Sequence, residues 1–414
     1  MATASALSEA AAPESSSTGA PGFLIALGPL SPKAFESVLV NLGVAFAGQD
    51  VVVATPDAIA NALPSSSRLR LTTYAPPAAA GDGFVLTAAD FLSSYKLMQE
   101  HKSMACVLLG PEAQSLSPDA LHGLAASALG GVDLTTPRYA LGPRDGLFNS
   151  AVLYPVTRAL YGTRPRYPLA IDLALSARMA ERLATAAQKF TAANQDGALV
   201  WPVAEAAAAG FSVAEVPAGS RKLPQTEAGD LYSLLAQIGG SFFADVDAKA
   251  SLWQRARLAY AKGVGVREES KAGQTAVEPP ETPDVQPMLD SFRLAYSNLQ
   301  EIWSLVLPPN SLLGLKKLSL LPPASFRMPD ALWARIVYDF ILAYRLRTIN
   351  RGHLLGALTP LYLAWVASHL LLTGGVSGAK AIAPEEHIEA VAAAFEADKP
   401  YLVSRWRWPD RFNP

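Results

Sequence analysis

Cysteine is almost absent: Cys106 is the only one in 414 residues. No internal disulfide can form and a cysteine zinc site is excluded, which suits a reducing cytoplasm. Histidine is nearly as scarce, five residues spread from His101 to His387, and none share a metal-ligand spacing. Neither sign of charge dominates. Lys and Arg number 34 against 36 Asp and Glu, for a net charge of -2, which removes the electrostatic case for nucleic acid or an anionic membrane as a main partner. No internal repeat is visible. Residues 1–22 lack both a basic n-region and an apolar h-region, so they are not a signal peptide. They carry little bulky apolar surface and read as a disordered tail.

What the chain does have is apolar bulk. Half of it is hydrophobic and 17% charged, enough for one large core or two to three ordinary ones. Residues 352–379 contain no Asp, Glu, Lys or Arg and are long enough to span a bilayer. His353, Pro360 and His369 inside the run, and the lack of a second such run, favour a buried helix pair, so integral membrane insertion is not expected.

The fold class follows from the order of short apolar runs. Residues 23–27 (FLIAL) and 51–54 read as buried strands flanking a helical stretch from Pro32 to Ala47, a β-α-β rhythm. Residues 105–109 (ACVLL) give a third strand. A helix follows over 117–129, with Ser117 as cap, Pro118 at its first position and Leu121, Leu124 and Leu129 on one side. Strands alternating with helices predict an α/β fold with a mostly parallel sheet, whose ligands bind beyond the carboxyl ends of the strands. That rim carries Thr55 to Asp57 and Gly110 to Glu112.

Further helices are predicted over 176–193 and 201–209, with a strand at 211–216. Residues 262–287 are polar, rich in Gly, Pro and Glu and aperiodic, hence a linker or long loop. The remainder reads as helical over 288–307, 330–348 and 384–399. In the second of these Leu332, Ile336, Phe340 and Tyr344 share a face, and Arg335 and Asp339 stand at i,i+4. The division is therefore a tail (1–22), a sheet domain (23–261), a linker (262–287) and a helical domain (288–414).

Several segments resemble one family. NSAVLYPVTRALYG (149–162), LWARIVYDFILAYRLRTINRGH (332–353), LTPLYLAWVAS (358–368) and KPYLVSRW (399–406) are similar to retaining GT-A glycosyltransferases close to glucosyl-3-phosphoglycerate synthase and mannosylglycerate synthase. Blocks at 106–118, 145–146, 197–211 and 239–243 follow in order, so the resemblance covers most of the chain from Phe23 onward. It implies a Rossmann-like GT-A domain followed by a helical C-terminal domain. It also implies transfer of a sugar from a nucleotide sugar to a small acceptor. In that chemistry Mg2+ or Mn2+ on hard oxygen ligands stabilises the charge growing on the departing diphosphate.

The departures fall on the chemistry. Where relatives carry Asp-x-Asp, this chain has Gly110-Pro111-Glu112; the metal-binding His falls near Leu223; and the active-site acid of 197–201 becomes Leu199. A glycine-rich loop becomes YPLAIDLA (167–174), keeping Asp172. No metal ligand set remains, and Mg2+ or Mn2+ is expected only if Glu112 acts with substrate phosphates.

Three functions compete. An active, metal-independent glycosyltransferase would use Asp172 as its remaining acid, with Asp57, Glu112, Arg221 and Lys222 on the nucleotide sugar or its diphosphate. Arg144 and Asp145 would then hold an anionic acceptor. A degenerate member would instead be a binding or scaffold partner of a second copy or of an active paralogue, its rim filled by Ile171, Leu199 and Leu223. A membrane-attached version would use 352–379. The plainer reading makes Asp172 a helix cap, Glu112 an exposed loop acid and 221–222 a surface turn. The degenerate reading is favoured, in the cytoplasm.

Overall fold

A computed structural model describes residues 22–56, 68–75, 85–195, 197–223, 231–255, 284–374 and 381–408. Asp57, almost all of the expected tail and most of the expected linker lie outside these residues.

Seven strands form one sheet: β1 (Leu24–Leu27), β2 (Val51–Thr55), β3 (Leu69–Thr73), β4 (Ala105–Leu109), β5 (Leu134–Ala140), β6 (Asp172–Ser176) and β7 (Val213–Ser220). Their order is β3-β2-β1-β4-β6-β5-β7. Every neighbour pair is parallel except those of β6, which runs antiparallel between β4 and β5. The expected mostly parallel α/β sheet is therefore present. The helices in the sheet half are α1 (Pro32–Ala45), α2 (Ala88–His101), α3 (Pro118–Leu129), α4 (Tyr154–Tyr161), α5 (Ala177–Thr191) and α6 (Pro202–Ala209). Then come α7 (Leu231–Ala248), α8 (Ala250–Trp253), α9 (Gln286–Asn298), α10 (Gln300–Val306), α11 (Pro309–Ser319), α12 (Asp330–Leu346), α13 (Arg351–Thr373) and α14 (Pro384–Arg407). Ser31, Ser117 and Ser176 cap α1, α3 and α5 by accepting the N–H three residues on.

Four details differ from the expectations. Asp172 caps no helix: it opens β6 opposite Leu109 at the end of β4, because β6 runs antiparallel to β4 and starts where β4 stops. The described part of the 352–379 run forms one helix, α13, with Pro360 inside it, and most of that helix is buried, as in a core helix. Leu129 is exposed, and α3 buries Leu121, Leu124, Ala125 and Ala128 instead. Arg335 and Asp339 do not pair with each other. Arg335 bonds Asp398 at 2.8 Å and the buried Asp339 bonds Arg405, both partners on α14.

Two large apolar clusters and a small third one of Tyr154, Ile388 and Ala392 fill the described interior, the first large one around the sheet and α1 to α3. The second large one joins α9 to α14 with α7 and with residues from Leu147 to Leu160. Apolar packing therefore runs across the proposed boundary between sheet and helical domains. Trp406 belongs to this second cluster, edge-on to Trp253 at 4.9 Å, while Trp408 is exposed.

Candidate functional site

The antiparallel insertion of β6 brings Asp172 to the end of β4. There Gly110 N donates to Asp172 Oδ1 at 3.1 Å. A Cβ at position 110 would lie 2.6 Å from the Ile171 carbonyl oxygen, so any residue with a side chain, an aspartate included, would force the backbone here to shift. Pro111 and Glu112 then turn the chain. Glu112 adopts a left-handed φ of 61°, costly for a residue with a side chain, and its carboxylate accepts from Gln114 Nε2 at 2.7 Å.

Arg221, just past β7, holds this turn. Its Nε and Nη2 donate to Asp172 Oδ2 and Oδ1 at 2.8 and 3.0 Å. Nη2 also donates to Pro111 O at 2.7 Å, while Nη1 donates to Glu112 O, to Ser115 Oγ at 3.0 Å and to Lys222 O at 3.0 Å. All five N–H groups of a guanidinium are thereby engaged. Asp172 is equally complete: Tyr139 donates to its Oδ2 at 2.7 Å, so four donors meet its two oxygens. Neither side chain of the pair has any exposed surface. Burial alone would lower the Arg221 pKa, but the hydrogen bonds and charge of Asp172 hold it above its ordinary value. The same burial, with Asp172 beside it, keeps the Tyr139 hydroxyl protonated by raising its pKa well above the usual value.

The structure thus unites Asp172, Arg221 and the backbone of Glu112. Lys222 is exposed beside them and, with Asp145 and Leu223, lines a cavity of about 480 Å³ next to Arg221. Arg144 and Asp145 are exposed on the loop after β5, at the mouth of a second cavity. Ile171 and Leu199 are buried in the two apolar clusters, and Leu223 is half-buried. The divalent cation that the sequence resemblance implies does not fit here. The one remaining carboxylate of the turn is bonded within its own loop, Asp172 is filled by Arg221, and among the described residues no three His, Cys, Asp or Glu are grouped as a metal would need.

Residues that sequence spacing did not single out form the wall of the second cavity. Arg166 donates through Nε to Glu385 at 3.1 Å and through Nη2 to Ser150 Oγ at 2.9 Å, and its backbone N–H meets Glu215 at 2.6 Å. Burial pushes Glu215 up to about 7 from 4.5, against that N–H and the nearby Arg138. A carboxyl whose folded pKa exceeds its unfolded one favours folding while protonated. Its contribution is complete below pH 4.5 and is lost as pH rises toward about 7. Glu215→Gln, which keeps an acceptor for Arg166 N, is expected to flatten part of the fall in melting temperature between about pH 5 and pH 7; an unchanged pH profile would refute this assignment.

The fold and this site define an α/β protein whose strand-end site is closed by an internal arginine–carboxylate pair. No family model matches the chain, and no curated protein matches it. Among solved structures it is similar to glucosyl-3-phosphoglycerate synthase from Mycobacterium tuberculosis. With Mn2+, uridine diphosphate and glucosyl-3-phosphoglycerate bound, that protein is 14% identical with a TM-score of 0.35, over 54% of this chain and 80% of that one. The same enzyme with Mn2+, UDP-glucose and phosphoglyceric acid gives 15%, 0.36, 55% and 80%. With phosphoglyceric acid alone it gives 15%, 0.34, 54% and 80%.

Proposed function

We propose that this chain is a glycosyltransferase-like protein without metal-dependent transfer activity, acting as a binding or scaffold partner in the cytoplasm. The observation that supports this reading is the Arg221–Asp172 pair. Its donors and acceptors are all spent inside the protein, so neither Asp172 as acid nor Arg221 as diphosphate clamp has a free polar atom to offer. Reopening the site would break a buried ion pair, which costs several kcal/mol. The partner in this reading is a second copy of the chain or an active paralogue, and size-exclusion chromatography with light scattering tests the first.

The alternative, a metal-independent transferase acting on a small acceptor, draws on Lys222, exposed at the 480 Å³ cavity. A thermal-shift screen with uridine and guanosine diphosphates, each with and without Mn2+, separates the two. A ligand at a hundredfold its Kd stabilises the folded state by about 2.7 kcal/mol, so binding would register as a clear rise in melting temperature. No rise is expected. A rise without Mn2+ would favour the metal-independent transferase, and one requiring Mn2+ would overturn the closed-site reading.

A further inference from the structure

The second cavity lies between the loop after β5 and the facing ends of α13 and α14, and encloses about 530 Å³. Two buried side chains on its wall have hydrogen-bonding capacity left over. Arg166, whose side chain is 5% exposed, is held by Glu385 and Ser150 and lies between the Tyr154 and Tyr167 rings at 5.2 and 5.0 Å. Its Nη1 has no partner. Leaving such a donor unpaired costs free energy, so a group that fills the cavity and accepts from it is favoured.

The other is His369, 1% exposed. Its Nδ1 lies 2.7 Å from His387 Nδ1, and His387 Nε2 lies 3.2 Å from Asp330 Oδ1. Trp365 stacks on both imidazoles at 5.2 and 5.9 Å, fixing their planes. When both imidazoles are neutral, this chain of bonds sets their tautomers. A carboxylate only accepts, so His387 Nε2 carries a hydrogen and its Nδ1, in the neutral ring, is bare. His369 Nδ1 must then be the donor, which leaves a lone pair on His369 Nε2. Burial, His387 and Arg166 together depress the His369 pKa to about 3, so the ring stays neutral at ordinary pH. Among the described residues nothing bonds that Nε2.

In that state the wall holds an acceptor, His369 Nε2, and a donor, Arg166 Nη1, the latter sealed just beneath the cavity surface so that a ligand must displace its neighbours slightly to reach it. A fully ionised anion would satisfy Arg166 but set its own lone pairs against His369; an ammonium would do the reverse. Charge decides the rest. Arg166 and Arg144 are matched by Glu385 and Asp145 around the same cavity, so the lining has no net charge and gives a charged ligand no electrostatic return for its desolvation. A hydroxy acid would reach both atoms yet bring a charge that the balanced lining does not compensate. A hydroxyl, by contrast, donates and accepts at one atom.

We propose that this cavity is a binding site for a neutral polyhydroxylated molecule, a sugar or polyol, whose hydroxyls donate to His369 Nε2 and accept from Arg166 Nη1. The proposal goes beyond the functional reading above and needs neither nucleotide nor cation, so it stands or falls separately from the thermal-shift screen.

The test is calorimetry and saturation-transfer NMR on the full chain with glucose, trehalose and glycerol as neutral probes, and phosphate and glycerate as anionic ones. At least one neutral probe is expected to bind saturably with a Kd of about 1 mM or tighter, and to be bound more tightly than either anion. His369→Phe keeps a ring for Trp365 but no Nε2 lone pair, and should weaken that binding about tenfold or more. Glu385→Gln, at the half-exposed rim, leaves one surplus positive charge and should create phosphate binding absent from the wild type; it decides the matter if His369→Phe does not fold. The proposal is overturned if no neutral probe saturates or if an anion binds the wild type more tightly. Unchanged binding in His369→Phe, or no phosphate binding in Glu385→Gln, would overturn it equally.

Discussion

Arg221→Ala is expected to lower folding stability by about 3–5 kcal/mol, the loss that follows when one partner of a buried ion pair is removed. The size comes from what is left behind. Asp172 keeps the Tyr139 hydroxyl and the Gly110 N–H, but its charge loses the one cation that it touches among the described residues, in a place with no exposed surface. The turn at 110–115 loses as much. The carbonyls of Pro111 and Glu112 and the hydroxyl of Ser115 all accept from this one guanidinium, and Glu112 holds its left-handed φ of 61° under that grip. Urea denaturation gives the measurement, since stability falls linearly with denaturant. Arg221→Lys should fall between wild type and Ala, because an ammonium has three donors at a single point where five are used on a planar fork. Ethylguanidinium at low concentration should restore part of the stability of Arg221→Ala and none of that of the wild type. A loss within about 0.5 kcal/mol, as for an ordinary surface substitution, would mean that the pair does not hold the site shut, and the proposed function would lose its support.

Four of the seven strands, β1, β2, β4 and β7, were legible because their signals are local. Apolar runs such as FLIAL and ACVLL are buried along their whole length, as β1 and β4 require between two covered faces. Ser117 and Pro118 mark the start of α3 within three residues. β3 and β5 were not predicted either, and β6 was missed because DLALS is five residues long and owes its place to neighbours, β4 and β5, that lie at least 30 residues away in the chain. Missing it turned Asp172 into a helix cap. The Arg335–Asp339 spacing correctly marks two residues one helical turn apart, but an i,i+4 surface pair is worth only a few tenths of a kcal/mol. Asp398 and Arg405 on α14 bring better partners to each.

The candidate site was legible as a list of absences and not as an arrangement. The missing carboxylates and histidine are visible in Gly110-Pro111-Glu112, Leu199 and Leu223; that Arg221 fills the gap is not, since its partner stands 49 residues away and Arg-Lys in a turn looks like solvated surface. The second cavity was further from reach. Arg166, Asp330, His369 and His387 come from four separate stretches, and only the packing of α12, α13 and α14 against the loop after β5 brings them together.

Trp333 is one of the large side chains buried in that packing, and Trp333→Ala is expected to cost about 3–5 kcal/mol, as truncation of a buried tryptophan does. Trp333 on α12 has no exposed surface, lies 6.2 Å from Trp365 in a stacked arrangement and donates its indole N–H to Ala151 O at 2.8 Å. Ala151 belongs to the π-helical turn Asn149–Leu153 that leads into α4, and such turns recur where a helix is bent to place a functional group. Here the neighbouring residue is Ser150, which holds Arg166 at the cavity wall. Trp333 thus touches both ends of the proposed sugar site: through Ala151 it fixes the Arg166 side, and through Trp365 the imidazole pair. Trp333→Phe keeps most of the bulk and leaves Ala151 O without its indole donor, so it should cost about 1–3 kcal/mol, separating the hydrogen bond from the packing. Both substitutions should weaken neutral-probe binding without contacting the probe. Equal stability losses for Phe and Ala would assign the whole effect to the hydrogen bond. Full probe affinity in a folded Trp333→Ala protein would show that the cavity wall is positioned by other contacts.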